Sequence, residues 1–296
     1  MTTITPYINA RGEEFTQLFQ HYPILSPLYT TWEKNYDALP GHEIILGNTW
    51  FPIALVTAYM IFCYVGQKHI MANRPAFDLK MPLAYWNLFL STFSFMGMFR
   101  TVPHLLHNLH SMSMEENLCA RTTSSFGDGA VGLWVQLFVL SKVPELIDTL
   151  FIVLRKKNLI FLHWYHHVTV LLFCWHSYAG ESSVGLFFVA MNYSVHAIMY
   201  GYFFLMAVDL KPKWLAPGFI TMCQISQMVV GTTVCSMSAY QLFKGNENCN
   251  VKRGNVAAGC LMYGSYLYLF CEFAVKRFII APRKRAAKKL AEKKAL

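Results

Sequence analysis

The sequence predicts an all-α, polytopic membrane protein with seven transmembrane helices. Of its 296 residues, 55% are hydrophobic and only 14% are charged, whereas roughly 25% of the residues in an ordinary soluble protein carry charge. Seven stretches are apolar over about the 20 residues that a helix needs to cross a bilayer. This much apolar surface excludes a disordered chain, and the scarcity of charge argues against a soluble globular domain.

The seven predicted helices set the organisation of the chain. The sixth is longer than a crossing requires, so we expect it to tilt or to extend past the interface. Residues 1–46 are mixed and polar, without the pattern of a signal peptide. We expect 1–46 to be a lumenal N-terminal segment, 47–280 a seven-helix membrane domain that holds any catalytic site, and 281–296 a basic cytosolic tail. The predicted helices are 47–66, 83–106, 130–153, 159–178, 183–207, 214–243 and 255–275.

The orientation follows from the basic residues, which give the chain a net charge of +9. Cytosolic loops of membrane proteins are enriched in Lys and Arg. Seventeen of the 25 Lys and Arg residues fall in the C-terminal tail or in the loops after the first, third and fifth helices. This places the C-terminus in the cytosol and the N-terminus in the lumen, although the loop at 244–254 carries three basic residues on the lumenal side. The charge marks a membrane edge, so nucleic acid is not an expected partner.

Two pairs of residues outside the helices carry further expectations. Cys119 and Cys249 fall in two loops assigned to the lumen, where oxidising conditions permit a disulfide, so we expect them to pair. Lys293 and Lys294 stand fourth and third from the C-terminus and resemble a di-lysine ER retrieval signal, which is an address read by a receptor. The alternative for the lysines is a tail that attracts anionic lipid headgroups.

The third predicted helix contains ionisable residues, which are expensive inside a bilayer and usually functional. At about 100° per residue, Lys142, Glu145 and Thr149 share one stripe of the helix, with Asp148 at its edge. Lys142 and Glu145 can pair and so reduce each other's desolvation cost. Pro144 removes a helical hydrogen bond, and we expect a kink there. A purely structural ion-pair cluster between helices is the alternative interpretation.

The next three predicted helices also carry polar faces. On the fourth, three imidazoles lie within an arc of about 100°, and three on one face inside a bilayer favour a base, nucleophile or metal ligand over a core residue. On the fifth and sixth, polar residues repeat at helical spacing, for which interhelical hydrogen bonding is the alternative. The residues are His163, His166 and His167; Asn192, His196 and Tyr200; and Thr221, Gln224 and Gln227.

These polar sets lie at matching depth. At 1.5 Å per residue, Asp148 is about 10 Å from Arg155, and His163 is about 9 Å beyond Lys157. We therefore predict one buried site, reached from the cytosol past a basic rim formed by Arg155, Lys156 and Lys157. Such a rim suits an anionic substrate head, for example a phosphate-bearing carrier, and the apolar helices beyond can house a long hydrocarbon chain.

The polar sets form four motifs in the order Lys142-x-x-Glu145-x-x-Asp148-Thr149, His163-x-x-His166-His167, Asn192-x-x-Val195-His196-x-x-Met199-Tyr200-x-Tyr202 and Thr221-x-x-Gln224-x-x-Gln227. Together they resemble the very-long-chain fatty acid elongases, the membrane 3-ketoacyl-CoA synthases, over about residues 45–280. The histidine box resembles that of the branch acting on saturated and monounsaturated chains. The chain departs from the family pattern at Phe203, where a second Tyr is frequent, and at Met228, where Phe is frequent.

The resemblance implies a reaction and a fold. The reaction is condensation of a long-chain acyl-CoA with malonyl-CoA to give 3-oxoacyl-CoA, CoA and CO2, with no cofactor and no metal. The fold has seven helices, six of which enclose an acyl-chain tunnel, in the ER membrane. The expected partners are the two CoA substrates, ER lipids, and the reductase and dehydratase of the elongation cycle, and homo-oligomerisation is left open.

Our mechanistic hypothesis is acyl transfer onto His166, followed by attack of the malonyl-derived enolate on the acyl group. The fallback is His166 or His167 as a base without covalent catalysis. Cys174 is a weaker candidate nucleophile, because an apolar setting blunts a thiol. The other assigned roles are orientation or proton transfer by His163 and His196; oxyanion stabilisation by Lys142, Gln224 and Asn192; orientation of imidazoles and of Lys142 by Glu145 and Asp148; and substrate binding by Asn192, Tyr200, Gln224, Gln227, Thr149, Arg155, Lys156 and Lys157.

Two other classes of protein stay open at this point. Membrane di-iron desaturases and hydroxylases also carry an HxxHH box, but they need about eight histidines in three boxes, and only one box is present here. A non-enzymatic seven-helix lipid transporter or receptor would not require several titratable groups at one depth. Metal content, oxygen dependence and malonyl-CoA incorporation separate the three interpretations.

Overall fold

The computed structural model describes residues 4–210, 212, 215–246, 248–284, 286 and 292. Within these residues the fold is helical, apart from one antiparallel pair of two-residue strands, β1 (Tyr7–Ile8) and β2 (Glu14–Phe15), in which Tyr7 pairs with Phe15. The strands open an N-terminal segment that continues through short helical turns. Those turns are Leu18–His21, Pro23–Leu28, Thr31–Lys34 and Leu39–Gly47.

Eight helices of the described residues that follow this segment are numbered α1 to α8. A π-helical turn extends α1 over Gly66–Ile70 and α8 over Val275–Ile280, and two short helices, Met114–Cys119 and Thr122–Ser125, lie between α2 and α3. The eight are α1 (Trp50–Val65), α2 (Lys80–Ser111), α3 (Gly129–Ser141), α4 (Ile147–Leu154), α5 (Phe161–Ala179), α6 (Gly185–Ala207), α7 (Pro217–Phe243) and α8 (Arg253–Ala274).

In the part of the chain that the structure describes, three helical stretches are long and apolar enough to cross a membrane: Trp50–Ile70, Pro217–Phe243 and Arg253–Lys284. The protein is therefore an all-helical, multi-pass membrane protein. The other apolar segments predicted from the sequence also lie in helices, but they are interrupted or carry the polar faces described above. The count of seven crossings stays a prediction.

The third predicted helix is divided rather than kinked. The sequence suggested one crossing over 130–153, whereas α3 ends at Ser141, a 3-10 turn covers Pro144–Leu146, and α4 begins at Ile147. Proline supplies no backbone N–H and its ring clashes with the preceding turn, so it stops the regular helix here. The break falls between Lys142 and Glu145 and is the local structure from which the polar site is built.

Two close approaches hold the helices together. A Cβ atom built on Gly97 of α2 would lie only 2.4 Å from the ring of Tyr193 on α6. A Cβ built on Gly231 of α7 would lie 2.3 Å from the ring of Tyr263 on α8. Any larger residue at either glycine would force the helices apart. Cys119 and Cys249 form a disulfide that joins the region after α2 to the loop between α7 and α8.

The N-terminal segment is anchored on α2 and α3 through Glu33. This carboxylate is buried, and it accepts hydrogen bonds from Arg100 Nε at 2.8 Å and from Trp134 Nε1 at 2.9 Å. Burial alone would raise the pKa of Glu33, but the hydrogen bonds from Arg100, Trp134 and the backbone of Thr30 outweigh it and lower the pKa to about 2. Glu33 is therefore charged at neutral pH and ties the segment to the bundle.

Candidate active site

A large cavity of the described residues opens between α2, α4, α5, α6, α7 and α8, and we call it the outer chamber. It encloses about 2270 Å³, including open space at its mouth. Four basic side chains line the outer chamber: Lys80, Arg155, Lys157 and Arg277. The four histidines of the sequence motifs line its wall as well: His163, His166, His167 and His196. The polar helical faces therefore do meet in one cavity, as their matching depth predicted.

A second cavity, the inner chamber, continues from the first and encloses about 1070 Å³, including open space at its surface. Its middle is apolar and aromatic, with Phe138, Phe173 and Phe188 among the lining side chains. Four residues line both chambers: His166, Asn192, Gln227 and Met228. They mark the place where the two chambers meet, which we call the junction.

A buried chain of hydrogen bonds runs from the helix break to His196. Lys142 Nζ donates to Glu145 Oε1 at 2.7 Å and to Asn192 Oδ1 at 3.3 Å, and Ser141 Oγ donates to the same Glu145 oxygen. The Lys142 and Glu145 side chains are 1% and 5% exposed. Asn192 in turn contacts His196 Nε2 through its Nδ2 at 3.2 Å. Lys142 is not among the residues that line the chambers, so it acts on them through Asn192.

This chain decides the tautomer of His196. An ammonium group only donates, so the Asn192 oxygen must face Lys142 and its NH2 must face His196. The Nε2 atom of His196 is therefore the acceptor, and the ring proton of the neutral imidazole stands on Nδ1. The other oxygen of Glu145, Oε2, is buried and hydrogen-bonds to none of the described residues, although Glu145 lines the outer chamber.

Thr149 positions the first histidine of the box. Its Oγ1 lies 2.9 Å from His163 Nε2 and 2.7 Å from the hydroxyl of Tyr59 on α1. The ring of His163 lies 4.5 Å from that of His167, one helical turn along α5. Thr149 is fully buried and lines neither chamber, so its position supports contact with His163 and not the substrate contact that the sequence predicts.

Asp148 differs from its assigned role. The sequence hypothesis had it orienting an imidazole, but its two oxygens accept hydrogen bonds from Trp86 Nε1 and from the hydroxyl of Tyr200, both at 2.7 Å. Tyr200 packs edge-on against His196, with ring centroids 5.2 Å apart. Asp148 therefore acts on the histidine cluster only through Tyr200. Both Asp148 and Tyr200 line the outer chamber.

His166 and its neighbours stand at the junction. The His166 ring lies 5.0 Å from the ring of Tyr266 on α8 and 5.6 Å from that of His167. Gln227 is buried and lines both chambers, while Gln224 lines the outer chamber and contacts Met199 Sδ at 3.3 Å. An amide at this position can donate a hydrogen bond to an oxygen that becomes negatively charged.

Of the predicted basic rim, two of three residues line the outer chamber. Arg155 and Lys157 line it, whereas Lys156 has a left-handed backbone (φ 51°) and donates to the carbonyl of Ala72. Cys174 lines the inner chamber. Lys293 and Lys294 lie outside the described residues.

Four site residues were missed by reasoning from the sequence. Lys80 and Arg277 were missed as members of the basic rim. Their positive charge and their predicted cytosolic position could have identified them. Tyr59 and Trp86 lie on other helices than the groups they bind, and no local pattern marks them. Among the residues described, no three His, Cys, Asp or Glu side chains converge to hold a metal ion.

Comparison with known proteins identifies the family of this chain. Residues 44–287 match the family described as ELO: GNS1/SUR4 family. Fatty acid elongase 2 of Trypanosoma cruzi (strain CL Brener) is 45% identical over 267 residues, which cover 86% of this chain and 95% of that protein.

Two animal proteins are also similar over most of their length. Very long chain fatty acid elongase 6 of Drosophila melanogaster is 41% identical over 234 residues, which cover 79% of this chain and 73% of that protein. Very long chain fatty acid elongase 6 of Mus musculus is 40% identical over 249 residues, which cover 84% of this chain and 92% of that protein. Since the family match and these relatives each extend over most of the sequence, the chain belongs to the ELO (GNS1/SUR4) family.

Proposed function

We propose that this protein is a fatty acid elongase that condenses an acyl-CoA with malonyl-CoA, giving 3-oxoacyl-CoA, CoA and CO2. Family membership and the names of the relatives support fatty acid elongation. The finer assignment, a decarboxylating condensation catalysed by a 3-oxoacyl-CoA synthase, rests on the two chambers. The reaction uses the two thioesters alone and needs no cofactor.

The observation that carries the proposal is the position of His166 at the junction. The outer chamber has cationic side chains that suit the phosphates of CoA, and the inner chamber has apolar walls that suit a hydrocarbon chain. An acyl-CoA lying across the junction would have its CoA in the outer chamber, its acyl chain in the inner chamber and its thioester carbonyl beside His166. No other histidine of the box lines both chambers.

The first half-reaction transfers the acyl group to the enzyme. A ring nitrogen of His166 attacks the thioester carbonyl, a C–N bond forms, the C–S bond breaks, and the CoA thiolate leaves with the proton of the imidazole. Gln227 lies at the junction, where an amide N–H can stabilise the oxyanion that forms during the attack. A covalent carrier divides one difficult step into two easier ones.

The second half-reaction uses the malonyl group. Loss of CO2 leaves its bonding electron pair on the adjacent carbon as the enolate of acetyl-CoA, and this carbon attacks the acyl-imidazole carbonyl. A C–C bond forms, the C–N bond breaks, and His166 takes up a proton from the cluster or solvent. His167 and His196 line the same chamber and can move that proton. The apolar inner chamber limits the water that would otherwise hydrolyse the acyl-enzyme.

The same proposal covers location and topology. The basic mouth lies near the start of α2, and the disulfide lies beyond its other end, which supports a cytosolic mouth and a lumenal N-terminal segment. We propose seven crossings, with residues 47–280 as the catalytic membrane domain of an ER protein and six helices around the chambers. A reductase and a dehydratase would act on the 3-oxo product.

The test is incorporation of radiolabelled malonyl-CoA by the purified protein with a panel of acyl-CoAs. We expect acyl-CoA-dependent labelling that falls at least about 10³-fold in His166→Ala, because removing a nucleophile abolishes the whole sequence of steps. His176→Ala, an exposed histidine on the same helix, is the matched control and should keep full activity. Absence of labelling by the folded wild-type protein would disprove the function.

The covalent step has its own test. With acyl-CoA alone, the protein should release one CoA per active site, and mass spectrometry should find the acyl group on the peptide that contains His166. If condensation proceeds with no CoA released before malonyl-CoA is added, the acyl-enzyme is wrong and His166 or His167 acts as a base.

A further inference from the structure

A third cavity lies on the outside of the helix bundle. It encloses about 1000 Å³, including open space at its mouth, and it is formed by α7, by α8 and by the short helix Met114–Cys119. None of the described residues that line it also lines the outer or the inner chamber. We call it the α7 groove, because α7 supplies most of its lining. It is therefore separate from the candidate active site.

The α7 groove follows one half of its helix. Its lining runs from Gln241, near the end of α7, to Val229, at the middle of Pro217–Phe243. The helix from Val229 to Gln241 is about 18 Å long, which is close to half of the roughly 30 Å hydrocarbon core of a bilayer. A molecule in the groove therefore lies within a single leaflet, on the side of the bundle that carries the disulfide Cys119–Cys249.

The wall of the groove is largely apolar in character. The hydroxyls of Thr232, Thr233 and Ser236 each donate to the backbone carbonyl four residues earlier, so their donors are satisfied within α7. Val229 and Leu267 add aliphatic surface from α7 and α8. This wall suits the hydrocarbon body of a lipid.

Gln241 is the exception, at the disulfide end of the groove. It is only 8% exposed, and its Oε1 atom is buried and hydrogen-bonds to none of the described residues. A buried amide oxygen without a partner is unfavourable. A half-turn of the terminal amide exchanges its oxygen with its NH2, so Gln241 can present an acceptor or a donor to the groove. A hydroxyl group both donates and accepts, so it can pair with this amide in either orientation.

The charge at this end disfavours a phospholipid headgroup. Among the described residues, Glu115 is the one charged side chain that lines the groove, and it accepts a hydrogen bond from Asn246 Nδ2 at 2.7 Å. This carboxylate repels an anionic headgroup. The phosphate of a zwitterionic lipid would find no Lys or Arg in the lining that the structure describes. An uncharged head with a hydroxyl group fits better.

The sequence of α7 carries an independent indication of the ligand. Val234, Tyr240 and Lys244 have the order and spacing of a short pattern associated with cholesterol contact. That pattern is Leu or Val, then Tyr, then Lys or Arg, with one to five residues between them. It has little specificity alone, but here its tyrosine lines the groove beside Gln241 and is 61% exposed. Its ring offers a flat apolar face to a ligand.

These observations point to one kind of occupant. A sterol has a rigid hydrocarbon body with one hydroxyl at its end, and it lies within one leaflet. We propose that the α7 groove binds a membrane sterol whose hydroxyl hydrogen-bonds to Gln241. Since α7 and α8 also supply Met228 and Tyr263 to the inner chamber, a sterol that contacts both helices would stabilise the wall of that chamber against unfolding.

The test is photolabelling of the full chain, reconstituted in phosphatidylcholine vesicles, with a cholesterol analogue that carries a diazirine. We expect the label on the part of α7 from Val229 to Gln241, and we expect unlabelled cholesterol to compete for it. Epicholesterol differs only in the orientation of its hydroxyl and should compete about fivefold less well, which is the effect of one neutral hydrogen bond. Dioleoylglycerol has a hydroxyl but no rigid body and should not compete at the same concentration.

Two variants test the groove itself. Gln241→Leu replaces an unpaired buried amide with an apolar side chain of similar size, so it should fold and should weaken binding about fivefold. Ser236→Phe fills the middle of the groove from an exposed position and should abolish labelling of α7. Val230→Phe is the matched control, because Val230 is exposed on the same helix but does not line the groove. Cholesterol should raise the unfolding temperature of the wild-type protein and of Val230→Phe, but not of Ser236→Phe.

Two results would overturn the proposal. If the label is spread over all membrane-facing helices, or is unchanged in both Gln241→Leu and Ser236→Phe, the α7 groove is not a sterol site. If dioleoylglycerol competes as well as cholesterol, the groove accepts hydroxyl-bearing lipids in general and the assignment to a sterol is wrong. None of these measurements uses malonyl incorporation, so the proposed elongase function stands or fails independently of them.

Discussion

Removing the ammonium group of Lys142 should destabilise the protein severely. The Lys142 and Glu145 side chains are 1% and 5% exposed, with Nζ and Oε1 2.7 Å apart. In Lys142→Met the carboxylate of Glu145 would stay buried with only Ser141 Oγ as donor. Leaving one member of a buried pair uncompensated costs about 3–5 kcal/mol, which is a large part of the total stability of about 5–15 kcal/mol typical of folded proteins.

Removing both charges should have a different effect on stability from removing one. Replacing a buried pair by apolar side chains of similar size is often neutral or stabilising, so Lys142→Met, Glu145→Leu should recover most of the loss. The remaining deficit should be about 1–2 kcal/mol, from the hydrogen bonds that Ser141 and Asn192 lose. Activity should not recover, because Asn192 no longer has a fixed orientation toward His196.

The assay is thermal unfolding of each purified variant in the same detergent, followed by tryptophan fluorescence, together with malonyl incorporation. Lys276→Met is the matched control. It breaks the Lys276–Glu272 pair, whose side chains are 64% and 39% exposed, and such pairs contribute about 0–1 kcal/mol. The reasoning is refuted if Lys142→Met unfolds at the temperature of the control, or if the double variant is less stable than the single one.

Three further predictions follow from the contacts. Thr149→Val should remove the hydrogen-bond partner of His163 and slow acyl transfer, measured as CoA release, about tenfold. Thr149→Ser should keep a near-normal rate because it retains the hydroxyl. Equal rates of CoA release in the two variants would contradict this prediction. Reduction of Cys119–Cys249, which are 130 residues apart, should cost about 4–5 kcal/mol by the loop-entropy relation, and an unfolding temperature unaffected by reductant would exclude it. Because the pKa of Glu33 is lowered to about 2, its stabilisation is complete above the unfolded pKa of about 4.3 and is lost as the pH falls toward 2. Proteolysis of the N-terminal segment should rise over that window in the wild-type protein, and the rise should be absent in Glu33→Gln.

The helical fold and the family were accessible from the sequence because both depend on local information. Apolar length identifies a crossing without knowledge of its neighbours, and the resemblance to elongases is confirmed by the family match. The separation of α3 from α4 at Pro144 was only partly predicted. A proline predicts a kink, but it does not show whether the helix continues in the same direction afterwards. How many crossings form depends on the bilayer and on helix packing, which hydropathy does not report.

The site shows where local reasoning stops. Helical spacing places residues on a common face, and it correctly grouped His163, His166 and His167 on the wall of one cavity. Spacing does not identify the partner across a helix interface. Asp148 therefore seemed available to an imidazole, whereas Trp86 and Tyr200 occupy both of its oxygens. The lining of the inner chamber was inaccessible for the same reason, because it includes residues of the N-terminal segment and of loops distant in sequence.

The charged ammonium group of Lys142 fixes the orientation of the Asn192 amide, which a neutral hydroxyl or amide would not do. A hydroxyl or amide beside Asn192 can donate or accept, so Asn192 could adopt either amide orientation and His196 either tautomer. An ammonium group only donates, and it therefore selects one orientation of Asn192, observed at 3.3 Å, and through it one acceptor nitrogen on His196, observed at 3.2 Å. The carboxylate of Glu145 makes that charge tolerable inside the bundle. A buried ion pair that contributes little to stability is thus explained by the proton position that it imposes on a histidine in the chamber wall.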